Sequence, residues 1–88
     1  MPSRILWTLE AWNDYQYWQQ KQDRKTLKRI NLLIRDAVRN PFSGIGKPEP
    51  LRENLSGFWS RRIDETNRLV YTVENDDLMI VACRYHYN

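Results

Sequence analysis

The strongest pattern of apolar and polar positions runs through "DRKTLKRINLLIRDAVRN", residues 23–40. Leu27, Ile30, Leu33, Ile34, Ala37 and Val38 recur at steps of three and four, which places them on one side of an α-helix. A turn of ~100° per residue gathers Arg24, Lys28, Arg35 and Arg39 into a stripe on the opposite side. Asn40-Pro41 should end the helix, because the residue before proline is pushed out of helical geometry. A weaker pattern of the same period precedes it. Ala11, Tyr15 and Trp18 share one line, with Leu9 and Trp12 beside it, so a helix is expected to about Gln20 with Thr8 as its cap. "RILW" (4–7) reads as a short opening strand.

Beyond the second helix the period changes. "FWSRRI" (58–63), "RLVYTV" (68–73) and "LMIVACRYHY" (78–87) are rich in aromatic and β-branched residues, and "DETN" and "ENDD" separate them as turn formers. Residues 40–57 hold all three glycines and three of the four prolines. They read as a long loop, a feature that in compact domains is functional or disordered, with the prolines favouring order. The expected fold is α+β, in the order β-α-α-β-β-β: an antiparallel sheet with two helices packed on one face. Residues 1–88 form one domain, without repeats or low-complexity segments.

Composition narrows the class. An apolar fraction of 41% and a charged fraction of 28% fit a globular chain. A chain of 88 residues builds a modest core, so a bound partner would matter to its stability. The net charge of +3 says little. The distribution says more: seven basic residues against two acidic ones lie between Lys21 and Arg39. Such a one-sided stripe is either a solvated helix face or a contact for a polyanion such as nucleic acid. The single cysteine, Cys83, rules out an intrachain disulfide and fits a reducing compartment. Neither a signal-peptide pattern nor a membrane-length apolar run is present in the sequence, so a cytoplasmic location without membrane contact is expected.

The candidate chemistry is sparse. In "KPEP" (47–50) each proline restricts the residue before it, so Lys47 and Glu49 are expected to be extended and pre-organised. The segment is either a rigid connector or the mount of a reactive carboxylate. Arg61, Arg62, Arg68 and Arg84 fall in strand-like sequence near Phe58, Trp59 and Tyr85. Arginines that grip phosphate and aromatics that stack on bases form RNA sites, whereas pairing with Asp64 or Glu65 is the plainer role. His86 is the only histidine. One Cys and one His do not make a structural zinc site, and the sequence has no Gly-x-Ser-x-Gly, Walker or dinucleotide motif. No cofactor is expected.

One reaction needs only this inventory. RNA carries its own nucleophile, the 2′-hydroxyl. Cleavage then requires a base for that proton, a cation for the phosphorane charge and an acid for the departing 5′-oxygen. Glutamate, arginine and histidine can fill those roles.

The segments "EAWNDYQYW" (10–18), "NPFSGIGKPEPL" (40–51), "NLSGFWSRRI" (54–63), "RLVYTV" (68–73) and "ACRYHY" (82–87) carry a resemblance across nearly the whole chain. The sequence resembles the YoeB (Txe) toxins of bacterial toxin–antitoxin systems, within the RelE superfamily. That resemblance implies a fold similar to small microbial ribonucleases and a toxin that cleaves mRNA at the ribosomal A site, stopping translation. It makes Glu49 the general base, His86 the general acid, Arg68 the transition-state cation and Tyr87 the substrate-positioning tyrosine. Lys47, Arg52 and Arg62 match basic positions along the RNA path, and the Arg24–Arg39 stripe would face ribosomal RNA. Implied partners are mRNA on the 30S subunit and a YefM-type antitoxin whose acidic C-terminal segment covers the toxin. A homodimer stays open. Relatives tend to carry histidine where this chain has Asn67, which leaves His86 as the only imidazole. Two other readings stay open: a ParE-like gyrase poison, and a plain RNA-binding module.

Overall fold

The computed structural model describes residues 1–85; His86, Tyr87 and Asn88 lie outside the described residues. The chain order is β1 (Arg4–Trp7), α1 (Leu9–Gln20), α2 (Arg24–Arg39), β2 (Glu49–Pro50), a 3₁₀ turn (Glu53–Leu55), β3 (Trp59–Arg62), β4 (Arg68–Glu74) and β5 (Asp77–Ala82). The five strands form one sheet in the order β1-β5-β4-β3-β2.

Both helices start on side-chain caps. Thr8 Oγ1 accepts the Ala11 N–H at 3.0 Å and donates to the Val81 carbonyl at 2.9 Å, which ties the start of α1 to β5. Asp23 accepts from the N–H and hydroxyl of Thr26 at the start of α2. Ile30, Leu33, Ile34 and Ala37 are buried, and Leu27 and Val38 pack against the same core. The periodic face was thus read correctly. The Arg24, Lys28, Arg35 and Arg39 stripe is exposed on the other side.

The sheet departs from an all-antiparallel expectation. β2–β3, β3–β4 and β4–β5 are antiparallel, but β1 pairs with β5 in parallel, with Arg4 opposite Asp77 and Trp7 opposite Ile80. Arg4 clamps this edge through two hydrogen bonds to the Asp77 carboxylate, at 2.8 and 2.9 Å. Turn signals report only neighbours in sequence. The relative direction of first and last strands is set by the helical hairpin between them, which no local signal encodes.

The last strand is also shorter than its apolar run. It ends at Ala82 rather than continuing to residue 87. The Cys83 N–H donates to Asp14 Oδ2 at 3.0 Å, and the Cys83 carbonyl accepts from Trp18 Nε1 at 2.9 Å. α1 therefore claims the backbone groups that a longer ladder would need. Tyr85 then turns with φ of +64°, outside strand geometry. Burial, and next the nearby Asp14 carboxylate, push the Cys83 thiol up to about 12.

The loop of residues 40–57 is organised by one side chain. Arg61 on β3 is 0% exposed and points at α2. Its Nε donates to Tyr71 Oη (2.9 Å), Nη1 to Asp36 Oδ2 (2.6 Å) and the Ile45 carbonyl (3.1 Å), and Nη2 to the carbonyls of Asn40 (2.6 Å) and Ser43 (2.9 Å). Pairing with Asp64 or Glu65, expected for these arginines, does not occur here; the partner is Asp36, on the second helix. Gly46 (φ +80°) passes so close that a Cβ there would meet Leu33 at 2.6 Å, which accounts for glycine at that turn. Lys47, expected to be extended, has φ of +52° instead. The chain must turn between the Gly46 carbonyl, which accepts from the Arg62 N–H, and Glu49, which pairs with Ser60.

Two outcomes follow from this packing. Arg61→Met should lower the unfolding free energy by about 3–5 kcal/mol in denaturant titrations, because it strands a carboxylate and three carbonyls. Hydrogen bonds from Arg61 and then from the Ile45 N–H hold the Asp36 carboxyl below the usual carboxylate range. That contribution is fully present above the unfolded value of about 3.9 and is lost as pH falls through the lower folded value, so Asp36→Asn should blunt acid destabilisation. Separately, Cys83 should resist alkylation at pH 8 in the native protein and react promptly once unfolded. Rapid labelling of the native chain would contradict its buried placement.

Candidate active site

Strand register decides which candidates share a face. Trp59 and Arg61 on β3 stand opposite Tyr71 and Leu69 on β4, and this set points to the helices. Alternation sends Ser60, Arg62, Arg68 and Val70 to the other face. Glu49 pairs with Ser60, so it belongs with them. Arg62 and Arg68 are directly paired. With strands ~4.8 Å apart and ~3.3 Å per residue, Glu49 and Arg68 lie about 12 Å apart along the backbone grid.

Part of this face is covered. Ser60, Val70 and Thr72 are buried, and the Thr72 hydroxyl donates to the Gly57 carbonyl at 3.0 Å as residues 51–58 cross over it. Glu49, Arg52 and Arg62 stay exposed, as does Lys47. Among the described residues none of these four side chains has a hydrogen-bond or ion-pair partner. A proline in β2 is tolerated because this is an edge strand, and the Leu51 N–H closes the corner on the Phe58 carbonyl at 2.8 Å. Glu49, Arg52 and Leu55 line a shallow cleft of about 430 Å³. Two other clefts, of about 420 and 520 Å³, lie against α2; they are lined in part by the basic stripe and include none of Glu49, Arg52, Arg62 and Arg68.

Arg68 is half-buried. Its Nη1 donates to the carbonyls of Asp64 at 2.9 Å and Asn67 at 3.3 Å. Among the described residues Nε and Nη2 have no acceptor, so an edge of the guanidinium is left for an anion. The Arg68 backbone N–H donates to the Tyr85 carbonyl at 2.7 Å. Tyr85 precedes His86 in the chain, so the segment that leads to the expected acid is fastened beside the expected phosphate ligand. His86 and Tyr87 themselves lie outside the described residues.

Other candidates sort differently. Arg61 is a buried structural residue and is removed from the RNA-contact set. Phe58 and Trp59 are half-buried; the Trp59 ring packs against the core and on Phe42 at 4.9 Å, so it serves packing. Tyr85 is 59% exposed. The Arg84 guanidinium lies 3.5 Å from the Tyr17 ring centroid and 4.5 Å from that of Tyr85, so it stacks between them. Among the described residues no group of three His, Cys, Asp or Glu side chains could hold a metal ion.

One part of the site was missed in the sequence. "DETN" reads as a turn with acids that could pair with arginine, yet Asp64 and Asn67 build a small hub. The Asp64 carboxylate accepts from the N–H groups of Thr66 and Asn67 and from the Asn67 amide. Asn67 Oδ1 accepts the Tyr85 N–H at 2.6 Å. Burial works to raise the Asp64 carboxyl, but these donors, with the Arg68 charge, bring it below its ordinary value. The Asp-x-x-Asn spacing is the signal that could have exposed it.

Comparison with known proteins identifies the family and the fold. The pattern of the "YoeB-like toxin of bacterial type II toxin-antitoxin system" family matches residues 7–87. The chain is 60% identical over 84 residues to Toxin YoeB of Escherichia coli K12, covering 96% of this chain and 99% of that one. Toxin YoeB of Streptomyces coelicolor is 58% identical over 84 residues, with the same two coverages. A YoeB/ParE toxin from Agrobacterium tumefaciens superimposes with a TM-score of 0.91 at 46% identity, covering 96% of this chain and 99% of that one. YoeB in the heterotetrameric YoeB–YefM complex from Staphylococcus aureus does so with a TM-score of 0.86 at 47% identity, covering 96% and 97%. The YafQ structure from E. coli, at 19% identity and a TM-score of 0.71 over 96% of this chain and 94% of that one, shares the fold. On both sequence and structure, this chain belongs to the YoeB-like toxins of bacterial type II toxin–antitoxin systems.

Proposed function

We propose that this toxin is an endoribonuclease that cuts mRNA in the A site of the ribosome by acid–base catalysis, acting in the cytoplasm. The observation that carries the reading is a shared sheet face. Glu49, without a partner among the described residues, and a half-free Arg68 stand on it, the Arg68 backbone N–H bonds to the Tyr85 carbonyl, and His86 comes next in the chain. Glu49 takes the proton from the ribose 2′-hydroxyl, and the 2′-oxygen attacks the adjacent phosphorus. Arg68 stabilises the phosphorane charge. His86 protonates the 5′-oxygen as the P–O5′ bond breaks, and Tyr87 positions the substrate. The products are a 2′,3′-cyclic phosphate and a 5′-hydroxyl. The nucleophile and both proton carriers are thus supplied without a metal ion.

Lys47, Arg52 and Arg62, whose side chains have no partner among the described residues, suit the phosphates on either side of the cut. The exposed Arg24, Lys28, Arg35 and Arg39 stripe suits ribosomal RNA. A YefM-type antitoxin is the proposed cover for the basic face, since YoeB from S. aureus is found in complex with YefM, and its acidic segment should bind more tightly at low salt. A homodimer is compatible, as S. aureus YoeB forms one.

The test is a translation reaction with purified toxin and mapping of mRNA 5′ ends. Cuts should appear at ribosome positions and carry 5′-hydroxyl ends. Glu49→Gln and His86→Gln should each lower the single-turnover rate ~10²–10⁴-fold while leaving ribosome binding intact. Products with 5′-phosphate ends would mean that water is the nucleophile and the proposed chemistry is wrong. Loss of DNA supercoiling without mRNA cuts would instead select the gyrase poison.

A further inference from the structure

The segment that leads to His86 has an unusual attachment. β5 leaves the sheet after Ala82, and the backbone of Cys83 is committed to Asp14 and Trp18 on α1. The chain must then return to the start of β4. It does so at Tyr85, whose N–H is accepted by the Asn67 side chain (2.6 Å) and whose carbonyl accepts from the Arg68 N–H (2.7 Å). This two-point bridge holds Tyr85 at a φ of +64°, a geometry that tyrosine rarely adopts.

The orientation of Asn67 is not free. Its Nδ2 faces both oxygens of Asp64, each at 3.1 Å. An ionised carboxylate only accepts, so it selects the amide's NH₂ end. The oxygen is thereby turned toward Tyr85. Asn67 is only 8% exposed, so water offers no easy substitute. The same Asp64 supplies the carbonyl that receives Arg68 Nη1. One turn therefore fixes both the guanidinium and the segment that precedes His86.

We propose that Asn67, oriented by Asp64, is a positioning residue for the cleavage reaction: it sets the place of Tyr85, the residue before His86, relative to Arg68. This rests on the nucleolytic reading given above. Asn67 acts through Tyr85 and touches no reacting atom. A purely structural role would appear in stability alone, whereas positioning appears in the rate of the chemical step.

A pair of exchanges tests it. Asn67→Asp sets two carboxylates against each other about 3 Å apart and removes the donor that fixes their arrangement. Exchanging both residues, Asp64→Asn with Asn67→Asp, restores a donor and an acceptor at four of these five hydrogen bonds, leaving only the 3.1 Å contact between the residue-64 Oδ1 and the residue-67 side chain without a donor. An asparagine at 64 can still accept from the Thr66 and residue-67 N–H groups, and its amide can donate to the carboxylate at 67. The readouts are single-turnover cleavage of ribosome-bound mRNA, the half-saturating toxin concentration, the melting temperature and amide exchange at Tyr85. Asn67→Asp should cut on the order of 10–100-fold more slowly at saturation, with half-saturation changed less than ~2-fold and Tyr85 N–H protection lost. The double exchange should recover to within ~3-fold of wild type, the signature of a coupled pair. Asn67→Ala, which removes the acceptor without adding charge, should show the same rate loss and serves if Asn67→Asp does not fold. Wild-type rates in the folded single variants would overturn the proposal, as would a rate loss that the double exchange fails to recover. A wild-type toxin that cuts no mRNA would sink the nucleolytic reading and the positioning role with it. A loss of Tyr85 protection in the same variants would then show the hub intact and the fault in the assigned reaction.

Discussion

A buried guanidinium organises this small toxin. Arginine has five N–H bonds in a planar fork, and Arg61 uses all five: one on Tyr71, one on Asp36, and three on the carbonyls of Asn40, Ser43 and Ile45. Burying an unpaired charge would be costly, so the charge itself compels the surroundings to close around it. The Tyr71 hydroxyl, having accepted from Arg61, donates to the Pro41 carbonyl at 2.6 Å and extends the closure. A loop with two glycines and a proline between residues 40 and 46 thereby acquires one conformation. Lysine, a compact charge with three donors, lacks the fork that this arrangement uses.

From that closure the site follows in two halves. The Glu49 side hangs from the loop that Arg61 holds, since the Gly46 carbonyl takes the Arg62 N–H at 2.7 Å just before β2 begins. The Tyr85 side hangs from Asp64 and Asn67, with Arg68 between the halves. Each half lies at a strand terminus, next to residues with positive φ: Lys47 on one side and Tyr85 on the other. Rigid β-sheet thus presents groups that stay open to solvent. Among the described residues the side chains of Glu49, Lys47, Arg52 and Arg62 have no partner there, whereas the fully paired Arg61 serves only the scaffold.

Much of the fold was legible in the sequence, because its strongest signals are local. The 3.6-residue period of Leu27 to Val38, the Thr8 cap and the turn clusters before β4 and β5 each act over a few residues. The readings that failed depend on distant partners. The parallel pairing of β1 depends on where a helical hairpin returns the chain. The early end of β5 depends on Asp14 and Trp18, which lie more than sixty residues upstream in sequence. Arg61 and Arg62 are adjacent and chemically alike, and only the contact with Asp36 separates scaffold from surface. The family resemblance supplied roles for Glu49 and Arg68 that spacing alone left open; it marked Asn67 as a departure but gave it no role, and the Asp64–Asn67–Tyr85 hydrogen bonds emerge only in the structure.

The most direct test of this account is residue-resolved amide exchange on Arg61→Lys. The substitution keeps the charge and removes the fork. Exchange at Ile45 and Arg62, whose N–H groups bond to Asp36 and to the Gly46 carbonyl, should accelerate, while Arg68 and Tyr85 keep their protection. Equal acceleration at all four amides would mean that Arg61 supports the whole domain without distinction. No acceleration at Ile45 and Arg62 would mean that the loop holds its shape without the fork, and the account would be contradicted.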